Sequence, residues 1–195
     1  MTNNPIFCAI DTSDIDKAVA LIDQISPYIG GIKLGLEFFT SCGLVGLEKI
    51  KKLEIPIFID LKLYDIPNTV KQALSNILQF EPKYTTLHLS GGSEMLIECV
   101  NAKNELNSIT KLIGVTMLTS FNDTLISEIG IEKSVNENVK QLTHLAVNCG
   151  MDGIVCSPLE ILGVKNAHGS NLHIISPGIR GKENASNDQK RTLSA

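Results

Sequence analysis

Short apolar runs of strand length alternate with longer segments of helical period along the whole 195-residue chain, and no Pro/Ser-rich linker or low-complexity tract interrupts them. Residues 5–11 (PIFCAID) read as a strand. Residues 13–26 read as an amphipathic helix capped by Thr12 or Ser13, with Ile15, Val19, Ile22 and Ile25 on one side. Further strands are predicted at 30–36, 56–62, 84–90, 111–117, 152–157 and 171–178, and helical stretches such as 37–52 and 69–80 lie between them. Strand-helix units repeated in this way specify a parallel sheet covered by helices, either an open doubly wound sheet or a (β/α)8 barrel.

Two details select the barrel. Polar residues stand at the C-terminal ends of many different strands (Asp11, Lys33, Asp60, Lys62, His88, Thr116, Thr119, Ser157, Arg180), which is where a barrel assembles its site. No G-x-G-x-x-G opens the first helix, so the dinucleotide fingerprint of the doubly wound fold is missing. The expected fold is a TIM (β/α)8 barrel forming one domain over 1–195. A full barrel takes eight strands and typically about 250 residues, about 200 at the lower end. Only seven strand units are legible, so the last strand-helix unit is expected to be missing from this chain.

Composition narrows the function. A net charge of −4 without a long basic run argues against broad nucleic-acid binding through phosphate neutralisation and points to a small-molecule partner. Five cysteines, odd in number and without a C-x-x-C, read as reduced thiols of a cytoplasmic protein. No signal peptide and no apolar run of about 18 residues is found, so no membrane association is expected. His144, His168 and His173 have no ligand spacing, and no metal site is expected.

The stretch IFIDLKLYDIPNTV (57–70) carries the chemistry. Ile57, Ile59, Leu61 and Leu63 fall on one face of the strand, and Phe58, Asp60 and Lys62 on the other. Taking a carboxylate and an ammonium out of water costs several kcal/mol each unless both find partners, so a charged pair ending a buried strand calls for a function.

The motif D-x-K-x-x-D-I-P-N-T, formed by Asp60, Lys62, Asp65, Ile66, Pro67, Asn68 and Thr69, resembles that of the orotidine 5′-phosphate decarboxylase family. AID at Asp11, IKLGLEFF at Lys33, TMLTS at Thr119, and SPGIR followed by NDQKR resemble the same family in the same order. The resemblance covers essentially the whole chain. It implies a cofactor-free and metal-free decarboxylation of orotidine 5′-phosphate to UMP in pyrimidine biosynthesis, carried out by a homodimer with shared sites. Lys62 would be the proton donor and Asp60 would lie against the departing carboxylate. Lys33 and Asp11 would hold the ribose hydroxyls, while Asp65 and Thr69 would reach the partner subunit's site. Lys33, Asp60, Lys62 and the partner's Asp65 would then alternate in sign. Thr119 would bond the pyrimidine, and Pro177, Arg180 and Gln189 would lie on a lid over the nucleotide, with 181–188 as its mobile part. The family's Gly-Arg phosphate grip after the last strand has no counterpart before Ala195.

Three readings compete with this one. Asp60 and Lys62 could form a structural rim pair, but the flanking DIPNT favours chemistry. A related family of sugar-phosphate enzymes shares D-x-K-x-x-D but uses Mg²⁺ and an acidic residue on the second strand, where this chain has Lys33. The third is a non-catalytic homologue that binds nucleotide. His88 reads as a hydrogen-bonded structural histidine.

Overall fold

The computed structural model of the chain describes residues 4–169 and 172–178. Its strands are β1 (Phe7–Ala9), β2 (Gly31–Leu34), β3 (Ile57–Leu63), β4 (Tyr84–His88), β5 (Lys111–Val115), β6 (Gly153–Val155) and β7 (His173–Ile175). Between them run helices α1 (Ile15–Ile25), α2 (Leu36–Lys51), α3 (Pro67–Leu78), α4 (Gly92–Glu105), α5 (Asp123–Glu128), α6 (Val135–Asn148) and α7 (Ile161–His168). All seven strands pair in parallel and in chain order, with β1 and β7 at the two ends of the ladder among the described residues. Each expected strand is present, and most are shorter than the apolar runs that announced them. Residues 89–91 leave the β4 run as a 3-10 turn.

The first helix corrects the expected cap. Thr12 and Ser13 give way to Asp14, whose carboxylate accepts the Asp16 and Lys17 amides at 2.9 and 3.1 Å. Thr12 supports the turn before it by accepting the Asp14 N–H at 3.2 Å. Helix α3 opens with Pro67 in its first turn, where a missing N–H costs nothing and the fixed φ already suits the helix.

Aromatic contacts show how strongly the sheet curls. Strands β1 and β4 would stand roughly 14 Å apart in a flat sheet, at about 4.8 Å per strand. Yet the Phe7 and Tyr84 rings lie 5.3 Å apart edge to face, and Phe58 sits 6.3 and 5.9 Å from those two. On the far side His173 of β7 approaches Tyr84 to 6.2 Å. These rings therefore occupy the inside of the curl, at the N-terminal ends of the strands. Two glycines make room for them: a Cβ on Gly31 would meet the Phe7 ring at 2.3 Å, and one on Gly153 would meet the His173 Cβ at 2.6 Å.

Outside the curl, alternate strand residues pack against the helices. One cluster joins Ile10, Ile32, Leu34 and Ile59 to Ala18, Ile22, Phe38, Leu47 and Ile50 of α1 and α2. A second joins Leu87, Leu112 and Ile154 to α3, α4, α6 and α7. Leu63 touches both clusters and anchors the far end of β3. With apolar burial on the helix side and rings at one end, the strand side chains left inside the curl point toward the C-terminal ends.

Candidate active site

Strand β3 does not run regularly into this end. Ile59 pairs with Thr85, but the next pairing joins Leu63 to Leu87, so four steps along β3 answer two along β4. The surplus forms a bulge holding Asp60, Leu61 and Lys62. Lys62 takes φ +51, a left-handed conformation that costs a non-glycine residue about 1–3 kcal/mol and persists only when its surroundings fix it.

The bulge brings the charges together. Lys62 Nζ lies 2.9 Å from both Asp60 oxygens. Lys33, at the end of β2, stands 3.6 Å from Asp60 Oδ2 and 3.9 Å from Asp11 Oδ1. The order Asp11, Lys33, Asp60, Lys62 alternates in sign, so each buried charge has an opposite neighbour. Burial grades outward: the side chain of Asp60 is 10% exposed, Lys33 27%, Lys62 33% and Asp11 60%. A carboxylate in the wall thus holds two ammonium groups toward an opening.

Thr86 completes the cluster and was not anticipated. Its hydroxyl donates to Asp60 Oδ1 at 3.0 Å and accepts the Lys62 main-chain N–H at 2.9 Å. Its alternation with Tyr84 and His88 in YTTLH was the available signal, since all three share the inner face. Beyond it, the Tyr64 ring lies 5.4 Å from the His88 ring. Burial first, and then the nearby Lys62 charge, hold the His88 imidazole below its usual range, so a neutral ring faces the ammonium. His88 Nδ1 is buried and finds no partner among the described residues.

The other expected residues divide. Asp65 is exposed and accepts the Ile66 N–H at 2.7 Å, apart from the ion chain, and Thr69 is exposed in the first turn of α3. Thr119 is buried in the loop after β5, and Pro177 is half-buried beyond β7. Thr116 and Ser157 serve structure: Thr116 donates to the Val155 carbonyl at 2.7 Å, and Ser157 forms a capping box with Glu160. Arg180, Gln189 and the segment 181–188 lie outside the described residues. Among the described residues, no group of three or more His, Cys, Asp or Glu side chains could hold a metal ion.

An ammonium fixed beside a carboxylate, both largely withdrawn from water, is a preorganised charge array, able to stabilise negative charge that develops on a bound molecule and to deliver a proton to it. Chains similar to this one narrow the choice of that molecule. A family model described as orotidine 5′-phosphate decarboxylase / HUMPS family matches residues 4–195. The orotidine 5′-phosphate decarboxylase of Ehrlichia chaffeensis is 45% identical over 195 residues, covering 100% of this chain and 83% of the relative. That of Ehrlichia canis is 44% identical over 188 residues, covering 96% of this chain and 81% of the relative. The crystal structure of orotidine 5′-phosphate decarboxylase from Lactobacillus acidophilus superposes with a TM-score of 0.80 at 30% identity, over 91% of this chain and 82% of that one.

Proposed function

The chain belongs to the orotidine 5′-phosphate decarboxylase / HUMPS family, and from that membership and the geometry of its charged cluster we propose how it acts on orotidine 5′-phosphate. The reaction is the decarboxylation of orotidine 5′-phosphate to UMP in pyrimidine biosynthesis. The observation that carries the assignment of roles is Lys62 Nζ lying 2.9 Å from both oxygens of Asp60.

The bond between ring carbon six and the carboxylate breaks, CO₂ leaves, and the electron pair stays on the carbon with no adjacent carbonyl to delocalise it. Asp60 stands against the departing carboxylate, where charge repulsion is relieved as CO₂ forms. Lys62 faces the carbanion, stabilises it, and gives it a proton from Nζ. Such an array acts more strongly in a water-excluded site than in solvent, because its dipoles are already aligned. Lys33 and Asp11 hold the ribose hydroxyls and Thr119 the pyrimidine. Of the residues that the resemblance assigns to the nucleotide beyond β7, Pro177 contacts it, and Arg180 and Gln189 lie outside the described residues.

Asp65 and Thr69 complete the partner subunit's site in a homodimer. Both are exposed, and their neighbours Tyr64 and Ile66 are 61% and 68% exposed, an apolar surface of the kind that a second subunit covers. Mixing Asp65→Ala with Lys62→Ala subunits is expected to restore activity, since one of the two shared sites then carries neither lesion. No recovery despite proven subunit exchange contradicts the shared site. The cytoplasm suits the five free cysteines.

The sugar-phosphate branch of the family is disfavoured by Lys33, which stands 3.6 Å from Asp60 and repels the Mg²⁺ that its carboxylate would otherwise attract. Conversion of orotidine 5′-phosphate by the full-length protein, followed by ultraviolet absorbance, tests the reading. Turnover is expected without added metal and in the presence of a strong chelator; loss of turnover on chelation would refute the metal-free mechanism.

A further inference from the structure

Neither the family's motif nor the charged residues themselves account for Thr86, which is fully buried and bonded to both sides of the bulge. A hydroxyl carries one proton, and the two contacts fix where it goes. The Lys62 N–H is itself a donor, so the Thr86 oxygen must accept there, and its proton must point at Asp60. The bonds therefore run in one direction, from the Lys62 main chain through the Thr86 hydroxyl to the Asp60 carboxylate.

In a regular parallel ladder the Lys62 amide would bond to a main-chain carbonyl of the neighbouring strand. The two surplus residues between the Ile59–Thr85 and Leu63–Leu87 pairs remove that partner, and the Thr86 side chain replaces it. The same oxygen thus secures the backbone from which Lys62 departs at φ +51 and the carboxylate on which its ammonium rests.

We propose that Thr86 is a positioning residue for the decarboxylation. It never touches the substrate; it holds Asp60 and the main chain of Lys62 in register so that Nζ meets the reacting carbon. The inference rests on the roles assigned above to Asp60 and Lys62. A valine at this position keeps the shape and removes the hydroxyl. The amide of a strained residue then has no acceptor, and the bulge relaxes away from the geometry that aims the ammonium.

The test compares Thr86→Val, Thr86→Ser and Thr143→Val in the full-length enzyme by steady-state kinetics on orotidine 5′-phosphate and by thermal melting. Thr143 is the control: it is equally buried, and its hydroxyl bonds the Val139 carbonyl within α6 at 2.7 Å, away from the site. Thr86→Val is expected to lower kcat by about 10²-fold with KM nearly unchanged, the scale of a misplacement on the order of 1 Å. Thr86→Ser should restore most of that loss, and Thr143→Val should leave kcat intact whatever it does to the melt. Unchanged kcat in Thr86→Val, an equal fall in Thr86→Ser, or the same fall in Thr143→Val would each overturn the positioning role. If Thr86→Val does not fold, the serine variant decides alone: near-normal kcat supports the role, and a large loss contradicts it. Absence of turnover in the unsubstituted enzyme would instead sink the assigned reaction, so the two failures are distinguishable.

Discussion

Two carboxylates, Asp60 and Asp152, are each gripped by two lysines and a third donor, and they stand at opposite ends of the strands. Asp60 lies near the C-terminal end of β3 between Lys62, Lys33 and the Thr86 hydroxyl. Asp152 lies just before β6 and accepts Lys103 Nζ at 2.6 Å, Lys111 Nζ at 3.1 Å and the Leu112 amide at 2.8 Å. Counted as ion pairs they look alike. Their backbones differ: Asp152 ties α4 to the starts of β5 and β6 through ordinary geometry, whereas Asp60 sits in a bulge beside a residue at φ +51. The lysines differ as well. Lys103 is as buried as Asp152, each side chain 15% exposed, so that pair is closed; the ammonium groups on Asp60 remain open to an incoming molecule. A buried charge pair marks a site when its geometry is strained and unfinished, and a joint when it is relaxed and closed.

Removing one lysine from each carboxylate should separate the two roles most widely. Lys62→Ala is expected to lower kcat by several orders of magnitude while leaving the denaturant midpoint near that of the parent, since it removes the charge facing the carbanion and its proton source. Near-parental turnover would end the assignment. Lys103→Ala is the mirror image. It leaves Asp152 without its closest buried counter-charge, which should cost about 3–5 kcal/mol in chemical denaturation with kcat of the folded protein retained.

Acid sharpens the contrast. Burial alone would raise the Asp152 carboxyl, but hydrogen bonds from Lys103, the Leu112 amide and Lys111, together with the Lys103 charge, outweigh it and hold the group below the usual carboxylate range. A carboxyl lowered in the folded state contributes stability that is fully present above its unfolded value, about 3.9. That stability is lost as pH falls through the lower folded value. Melting temperature plotted against pH should drop in that window for the parent, and the drop should be shallower in Asp152→Asn. Parallel curves would show that the network carries no linkage. The smallest effect belongs to Lys111→Ala: its side chain is 44% exposed, and a screened pair of that kind is worth about 0–1 kcal/mol by denaturation.

These two regions also differ in how far the sequence exposes them. Asp11, Lys33, Asp60 and Lys62 are legible because charges at the ends of apolar strand runs violate the pattern around them. The inward face of Thr86 is legible in YTTLH, but its bonds to Asp60 and Lys62 are not, because they depend on a register shift of two residues between neighbouring strands. Asp152 is hidden for another reason: it opens the run DGIVCS (152–157), and a single charge at the start of an apolar strand run looks like an ordinary solvated end. The helix cap moved from Thr12 or Ser13 to Asp14 because three successive residues can each cap, and only the backbone position of Ile15 decides among them. The order of strands, by contrast, follows once the polar strand ends select the barrel over the doubly wound sheet, since successive strand-helix units of a barrel are neighbours.

Substituting each carboxylate by its neutral isostere tests the central claim most directly: Asp60→Asn and Asp152→Asn, with kcat on orotidine 5′-phosphate and the urea midpoint measured on the same preparations. Asp60→Asn is expected to lose most of its turnover with a midpoint close to the parent's, because its lysines can turn toward water. Asp152→Asn should keep its turnover and lose stability by about 3–5 kcal/mol, the cost of leaving the buried Lys103 unpaired. Retained turnover in Asp60→Asn, or a collapse of turnover without loss of stability in Asp152→Asn, would contradict the division of the two carboxylates into site and joint.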